Sequence, residues 1–546
     1  MADSEGALPT LDEADLAVLE AVGRRRSTAA GEFLFHEGDP GYDFFAVRSG
    51  AVEISVRTGE GDRVIARHGP GRFLGELNLL TGTRLTVSAR VVEPGEVIQV
   101  PRGELRGLLA AHPRLGDTIL AAFLARREEL ITAAASAIRL VGSRFDPETR
   151  RLREFLVRNR IGHEWLDPEM DAHVEGALRE LGVAAAELPV VIVSGTVLRR
   201  PATGELAEYL GMVVADLPHR SFDLVVVGAG PAGLAAAVYG ASEGLETLLV
   251  DQVAAGGQAG TTSRIENYLG FPTGISGDDL TLRALTQAEK FGAAVTVPCS
   301  AASLREEAGH LVVRLSNGTD VAGRAVIAAT GAHYRRLASE RLADFEGRGV
   351  FYAATASEAQ VCAPSPVVVV GGGNSAGQAA LFLAEAGSPV TVVIRGDDLG
   401  ASMSRYLVER IEQHPRITVR TGAQVTALDG GEALQAVTIS HAGGDSVTPC
   451  AGLFSFIGAD PAAGWLSGCA ELDASGFLLT DRDLSDAQLG ERWRVLGRRP
   501  LPFETSHPGL FAAGDVRSGS TKRVAAAVGE GSAAVRSVHR YLAFIH

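Results

Sequence analysis

Two glycine-rich turns carry most of the chemistry in this sequence. The first, Gly228-Ala-Gly230-Pro231-Ala232-Gly233, follows the apolar run Leu224-Val-Val-Val227. This spacing marks a turn from a buried strand into a helix. Gly228 permits the turn, Gly230 lets backbone approach a pyrophosphate, and Gly233 lets the helix pack on the strand, so that phosphates meet the positive helix end. A second strand, Thr247-Leu-Leu-Val250, leads to Asp251, 18 residues past Gly233, where a carboxylate accepts from ribose hydroxyls. The other turn, Gly371-Gly-Gly373-Asn374-Ser375-Ala376, follows Val367-Val-Val-Val370 and repeats the layout. Its companion strand ends in Ile394-Arg395, so an Arg stands near the place held by Asp251 in the first copy. A guanidinium pairs with a 2′-phosphate that a carboxylate would repel, so the second site favours NADPH over NADH. Two copies of one phosphate-binding unit imply two nucleotide sites on one chain.

Residues 220–546 resemble the low-molecular-weight thioredoxin reductase family of FAD and NADPH enzymes. The matching stretches are GAGPAGLAAAVYGASEG, GGQAGTTSRIENYLGFP, AVIAATGAHYRRL, GGGNSA, FSFIGADP and PGLFAAGDVRSGSTKRVAAAVGEGSAA, in the family's order. The resemblance implies that FAD is held by Gly228, Gly230, Pro231, Ala232, Gly233 and Asp251, with Gly256, Gly257, Gln258, Glu266 and Asn267 wrapping the flavin. Thr330 and Gly331 join that set, and Gly514 and Asp515 take the ribityl and pyrophosphate part. The segment Lys522-Arg523-Val524-Ala525 offers a backbone donor to the pyrimidine edge of the flavin, which gains negative charge on reduction and suits a helix N-terminus. NADPH falls to Gly371, Gly373, Asn374, Ser375, Ala376 and Arg395. The implied fold is an FAD domain (219–336 and 460–546) interrupted by an NADPH domain (337–459), assembled as a homodimer.

The same resemblance exposes a departure. The family carries a CxxC followed by an acid shortly before the second glycine turn. Here the segment reads Tyr352-Ala353-Ala354-Thr355-Ala356-Ser357-Glu358, with Ala353 and Ala356 at the cysteine positions and Ser357 at the acid. Without a thiolate there is no nucleophile for disulfide exchange. Cys362, nine residues beyond Ala353, is the one nearby thiol. The expected activity is NADPH-dependent FAD oxidoreduction with an unidentified electron acceptor. Two alternatives stand beside it: a disulfide reductase using Cys362 or other thiols, and a nucleotide sensor with a degenerate enzyme portion.

Residues 31–140 resemble a cyclic-nucleotide-binding domain, on the Gly38 and Gly50 turns, the stretch Phe73-Leu-Gly75-Glu76-Leu77, and Thr83-Arg84-Leu-Thr86-Val-Ser-Ala89. The resemblance implies a short helix cradling a cyclic phosphate, Glu76 on the ribose 2′-hydroxyl and an Arg on the phosphate. Aligned on Ala89, the Arg position holds Thr83, and Arg84 comes one residue late. Cyclic AMP is expected ahead of cyclic GMP. Residues 142–218 resemble a glutaredoxin or thioredoxin-like unit, with Pro189 before a strand as a candidate cis bond. Asp146-Pro147-Glu148-Thr149 occupy its CxxC position, so this unit has no dithiol chemistry of its own.

The elements that position these motifs give a multidomain chain. An N-terminal β-barrel or jelly roll with helices (1–141) precedes the thioredoxin-like α/β unit (142–218) and a two-dinucleotide-binding-domain α/β flavoprotein. Residues 31–102 read as strands of four to seven residues broken at glycines, and 103–140 as helical. In the second unit the order is helix (TRRLREFLVRN), strand (EWLD), helix, strand (PVVIV), strand (TVLRR), helix (GELAEYLGM). The 546 residues carry 51 basic and 66 acidic side chains, a formal charge of −15, which argues against a nucleic-acid surface or an anionic membrane. Four cysteines spread singly exclude a disulfide framework and a zinc site. The uncharged runs 224–242 and 359–384 are long enough to span a bilayer, but each is broken by a glycine turn. With the polar, acidic start MADSEG, a cytoplasmic location is expected.

Overall fold

The computed structural model describes residues 9–545 apart from 40–41, 59–60, 76–86, 123–137, 171–173, 175–177, 179–181, 194, 215–216, 218–219, 263, 266–267, 340, 347, 353 and 355. The chain forms two compact units. One comprises 1–227, 237–255 and 285–326, and the other 228–236, 256–284 and 327–546.

The first unit begins with helix α1 (Glu13–Val22) and a six-stranded sheet: β1 (Arg24–Thr28), β2 (Phe33–Phe35), β3 (Phe44–Thr58), β4 (Gly61–His68), β5 (Phe73–Leu74) and β6 (Ser88–Val100). Its central path runs β1-β6-β3-β4, with β2 on β6 and β5 on β3. The expectation of strands four to seven residues long does not hold for β3 and β6. Segments DFFAVRSG and AVEISVR join into one strand of 15 residues, and SARVVEPGEVIQV is another of 13. The glycines read as breaks are bulges instead, because β3 and β6 shift register around Ser49 and Ala51 rather than parting. Gly95 is required there, since a Cβ on it would stand 2.2 Å from the Ser49 carbonyl oxygen. Phe44, Ala46, Phe73 and Ile98 pack against Leu16 and Leu19 of α1 and against Leu105 and Leu108 of α2 (Arg102–Ala111).

A second correction concerns the stretch read as helical to Leu140. Ile138–Val141 is a strand, β7, in the middle of the next sheet, with Ile138 and Leu140 buried in the core on one face and Val141 in the core on the other. That sheet has the order β10-β9-β7-β8, with β8 (Glu164–Leu166) parallel to β7, and β9 (Val190–Val193) and β10 (Thr196–Arg199) antiparallel in turn. Helix α3 (Pro147–Arg158) starts at Asp146, whose Oδ2 accepts from the Thr149 amide at 2.9 Å. It lays Leu152, Phe155 and Leu156 on Leu140, Val191 and Leu206, the last from α4 (Thr203–Tyr209). The Leu188–Pro189 bond is cis. The helix expected between β8 and β9 falls largely outside the described residues.

Strands β11 (Ser221–Val227), β12 (Thr247–Val250), β13 (Ala294–Thr296), β14 (Ala301–Glu307), β15 (His310–Leu315) and β16 (Asp320–Ala328) form a sheet in the order β13-β12-β11-β16-β15-β14. Strands β11 to β13 are parallel, and β14 to β16 form an antiparallel meander. The glycine turn joins β11 to α5 (Pro231–Ser242). The unbroken apolar run of β11 fits a strand covered on both faces.

In the second unit β17 (Ala332–Tyr334) pairs antiparallel with a strand far along the chain, β26 (Ala459–Pro461). Between them lies a fully parallel sheet ordered β18-β25-β19-β20-β21, made of β18 (Val350–Phe351), β19 (Val367–Val370), β20 (Val390–Val393), β21 (Ile417–Arg420) and β25 (Gly452–Ser455). Helices α6 (Ala356–Cys362), α7 (Asn374–Glu385) and α8 (Arg405–Gln413) accompany it, and β22 (Ala423–Gly430), β23 (Leu434–His441) and β24 (Gly444–Pro449) form a meander. Beyond β26, β27 (Leu510–Ala512) pairs with β16, and the Ala513 amide donates to Ala328 at 3.0 Å. The last helix, α9, spans Val524–Phe544. The run 224–242 is thus strand, turn and helix, as is the latter part of 359–384. No described helix is long and apolar enough to cross a membrane.

Candidate nucleotide and redox site

The first glycine turn is shaped by close approach. Gly228 has φ +105°, and a Cβ there would stand 2.3 Å from the Ala329 carbonyl oxygen. At Gly233 a Cβ would stand 1.7 Å from the Gly228 carbonyl oxygen, so no side chain fits between helix and strand. Gly230 differs: a Cβ would find only the Gly257 Cα, at 4.0 Å. Its bare backbone lies before the first turn of α5, where Pro231 occupies a position with no use for an amide. This is a cradle of the kind a pyrophosphate fills.

Around it the second unit gathers other expected residues. Gln258 donates from Nε2 to the Ala332 carbonyl, and Thr330 from Oγ1 to Ala462 at 2.7 Å. The Gly514 amide donates to Glu530 Oε2 at 2.8 Å. Glu530 also receives Arg517 at 2.7 and 3.1 Å and the Ser520 hydroxyl at 2.9 Å, which fixes the turn that presents Asp515. Burial pushes the Asp515 carboxyl above its ordinary range, partly offset by the Lys522 charge. Arg523 precedes α9 without a side-chain cap, leaving the amides of Val524 and Ala525 at the positive end of a 21-residue helix. In the other unit Asp251 follows β12, and its Oδ1 accepts from the Val253 and Ala254 amides at 2.9 and 3.1 Å. Glu266 and Asn267 lie outside the described residues. The bare cradle and the donors of the second unit fit FAD.

The second turn is built alike. A Cβ on Gly371 would stand 2.4 Å from the Phe456 carbonyl oxygen, while Gly373 has open space around it and precedes α7 without a side-chain cap. Ala376, in place of a third glycine, is fully buried. Asn374 uses its Oδ1 to accept from the Ser404 amide at 2.6 Å, so that atom organises the start of α8. Ser375 is exposed on the first turn of α7. Arg395 is exposed just past β20, and among the described residues its side chain has no ion-pair or hydrogen-bond partner. These features fit a second dinucleotide.

The comparisons with known proteins agree with this geometry. The family model described as pyridine nucleotide-disulphide oxidoreductase matches residues 222–531, and that of a cyclic nucleotide-binding domain matches 25–112. The chain belongs to the pyridine nucleotide-disulphide oxidoreductases. Thioredoxin reductase of Treponema pallidum is 32% identical over 324 residues, covering 59% of this chain and 97% of that protein. That of Streptomyces clavuligerus is 32% identical over 324 residues, covering 59% and 94%. The crystal structure of T. acidophilum thioredoxin reductase aligns with a TM-score of 0.53 at 28% identity, over 60% of this chain and 100% of that one. The Lactococcus lactis enzyme gives 0.52 at 26%, over 59% and 99%. The protein is a thioredoxin-reductase-type FAD oxidoreductase with an N-terminal cyclic nucleotide-binding domain, in a family that uses FAD and NADPH.

For such an oxidoreductase the thiols decide the acceptor. Ala353 lies outside the described residues, and Ala356 opens α6, which ends at Cys362. All four cysteines are free. Cys362 is 1% exposed, and burial, with the Glu358 charge adding, pushes its thiol up to about 11. Burial lifts Cys450 to about 12 and raises Cys299 and Cys469 as well. Among the described residues no cluster of His, Cys, Asp and Glu could hold a metal ion.

In the cyclic nucleotide-binding domain, Gly75 has its carbonyl held by the Tyr42 hydroxyl at 2.9 Å. Glu76, Leu77, Thr83, Arg84 and Thr86 lie outside the described residues. The sequence reading missed Glu530, Arg517 and Ser520. Their only sequence signal is an acid one helical turn and a half into α9, opposite a basic residue just after Gly514-Asp515.

Proposed function

We propose that this flavoprotein is NADPH-dependent, has no dithiol of its own, and is regulated by a cyclic nucleotide bound to its N-terminal domain. The proposed domains are 1–141, 142–218, 219–336 with 460–546 for FAD, and 337–459 for NADPH, with β7 contributed to the middle sheet. The observation that carries NADPH dependence is the pairing of an open Gly373 at the uncapped start of α7 with Arg395, which has no partner among the described residues, beyond the adjacent strand. When bound, NADPH and FAD supply hydride-transfer chemistry. The chain's part is to hold and orient them. Gly228, Gly230 and Gly233 present backbone to the flavin pyrophosphate, and Asp251 accepts from its ribose. The amides of Val524 and Ala525 favour negative charge at the ring edge. Gly371, Gly373, Asn374, Ser375 and Ala376 shape the NADPH pyrophosphate turn, and Arg395 takes the 2′-phosphate.

Electrons then leave to an acceptor other than a thiol pair of this chain. Ala353 and Ala356 cannot exchange disulfides, Ser357 cannot supply the acid, and Cys362 is buried with a thiol that stays protonated at neutral pH. The enzyme is proposed to act in the cytoplasm as a homodimer, with cyclic AMP preferred over cyclic GMP. Anaerobic titration with NADPH, followed by a screen of acceptors, tests the reading. Flavin bleaching by NADPH, with thioredoxin left oxidised, is expected. A flavin that NADPH does not bleach would leave only the sensor role, and thioredoxin reduction surviving Cys362→Ser would restore a disulfide reductase.

A further inference from the structure

Two hydrogen bonds among the described residues join the middle unit to the flavoprotein sheet, and both lead to Asp251. Asn159, which ends α3, uses both hydrogens of its amide nitrogen. One goes to Phe155 O in its own helix at 2.8 Å, the other to Val253 O at 2.9 Å. Val253 belongs to the short loop after β12. The Val253 and Ala254 amides in that loop hold Asp251 Oδ1 at 2.9 and 3.1 Å. On the other side, the Val214 amide, beyond α4, donates to Thr296 Oγ1 at 3.2 Å. Thr296 is fully buried at the end of β13, and its carbonyl accepts from the Asp251 amide at 3.3 Å. The Asp251 carbonyl in turn accepts from the Cys299 amide at 2.6 Å. A hydrogen-bonded path thus runs from the middle unit through Thr296, Asp251 and Val253 and back to it.

We propose that the middle unit is a clamp on the ribose loop of the FAD site, with Asn159 and Thr296 as positioning residues for the Asp251 carboxylate. A spacer would need only to join its neighbours along the chain. Here a side chain 94 positions away in sequence is spent on the backbone of the loop that carries the ribose acceptor. The orientation of Asp251 depends on where the Val253 and Ala254 amides lie, and the Val253 carbonyl that Asn159 holds shares one planar peptide with the Ala254 amide, so Asn159 fixes the second of them. Binding of FAD and docking of the middle unit are then linked, each favouring the other by the same factor. A route from the N-terminal units to the flavin follows that does not depend on the chain connection alone. The inference rests on the reading of Asp251 as ribose acceptor.

The test is equilibrium binding of FAD to the full-length apoprotein, followed by flavin fluorescence. Asn159→Ala and Thr296→Val are each expected to raise Kd about three- to tenfold, the range for loss of one hydrogen bond. Asp251→Ala should raise it more, and in the Asp251→Ala background the effect of Asn159→Ala should disappear, because the clamp acts through that carboxylate. Wild-type affinity in both single variants, with Asp251→Ala weakened, would overturn the clamp and leave the flavin reading intact. Equal losses with and without Asp251 would also overturn it, since a general loosening is additive. Wild-type affinity in Asp251→Ala would remove the ribose reading and the clamp with it. If Asn159→Ala does not fold, Thr296→Val and its double variant with Asp251→Ala carry the same comparison.

Discussion

On the proposed reading, Arg395 sets the preference of this oxidoreductase for NADPH. It is exposed and lies one residue past the buried Ile394, so its guanidinium can meet a phosphate without first breaking a protein ion pair. A charge-assisted bond of this type contributes roughly one to two orders of magnitude in affinity. Arg395→Ala should narrow the NADPH to NADH ratio of kcat/KM by that amount, with the NADH value nearly unchanged; stopped-flow bleaching with both cofactors reads it. Cys362 makes the opposite case, a reactive residue type in an inert setting. Its thiol is lifted from 9.0 to about 11 by burial, so the fold holds the proton more tightly than the unfolded chain does. That contribution is present below pH 9 and is lost as pH rises from 9 to 11. The urea midpoints of wild type and Cys362→Ala should therefore converge across that window. At pH 8 iodoacetamide should label Cys362 slowly, and NADPH oxidation should survive the treatment.

At the scale of elements, the turn that presents Asp515 depends on α9 through Glu530. Its carboxylate gathers the Gly514 amide, Arg517 and Ser520, and the Arg517 and Glu530 side chains are only 16% and 12% exposed. Glu530→Gln removes the one carboxylate bonded to a largely buried guanidinium, leaving it only the more distant charges of Asp481 and Asp483, a change that costs about 3 kcal/mol. Urea unfolding of the holoprotein should shift accordingly, and flavin should be lost on gel filtration where wild type retains it. This network was not legible in the sequence, because it depends on a helix returning to a turn 16 residues earlier. The glycine turns were legible because backbone sterics at Gly228 and Gly233 admit nothing larger. Strand β7 was not: AASAIRLV continues a helical pattern, and only its place between β8 and β9 makes Ile138–Val141 extended. The Pro94-Gly95 pair likewise reads as a break, yet it is absorbed as a bulge, since β3 continues to pair on either side.

At the scale of the whole molecule, the chain joins a cyclic nucleotide-binding domain to a flavin enzyme. A ligand biases the enzyme only through its differential affinity for two arrangements, and a coupling of about 1–3 kcal/mol changes activity several-fold or more. Cyclic AMP is expected to bind and to shift the rate of NADPH oxidation, and Glu76→Ala should abolish both effects with flavin content unchanged. Calorimetry and initial rates, each with and without the nucleotide, provide the check. No heat and identical rates would make the domain a structural appendage.

The antiparallel pair of β17 and β26 has a consequence for engineering and for descent. Residues 332–334 and 459–461 are bonded side by side, so everything between them leaves and re-enters the flavin-binding part through a single doorway. A segment with adjacent ends can be exchanged as a cassette without altering the path of the host chain. Grafting the corresponding stretch of a relative that prefers NADH, cut at these two strands, should transfer the cofactor preference while the flavin stays bound. If this segment holds the electron donor, as proposed, the same doorway would let selection retune the donor independently of the flavin and the N-terminal domains.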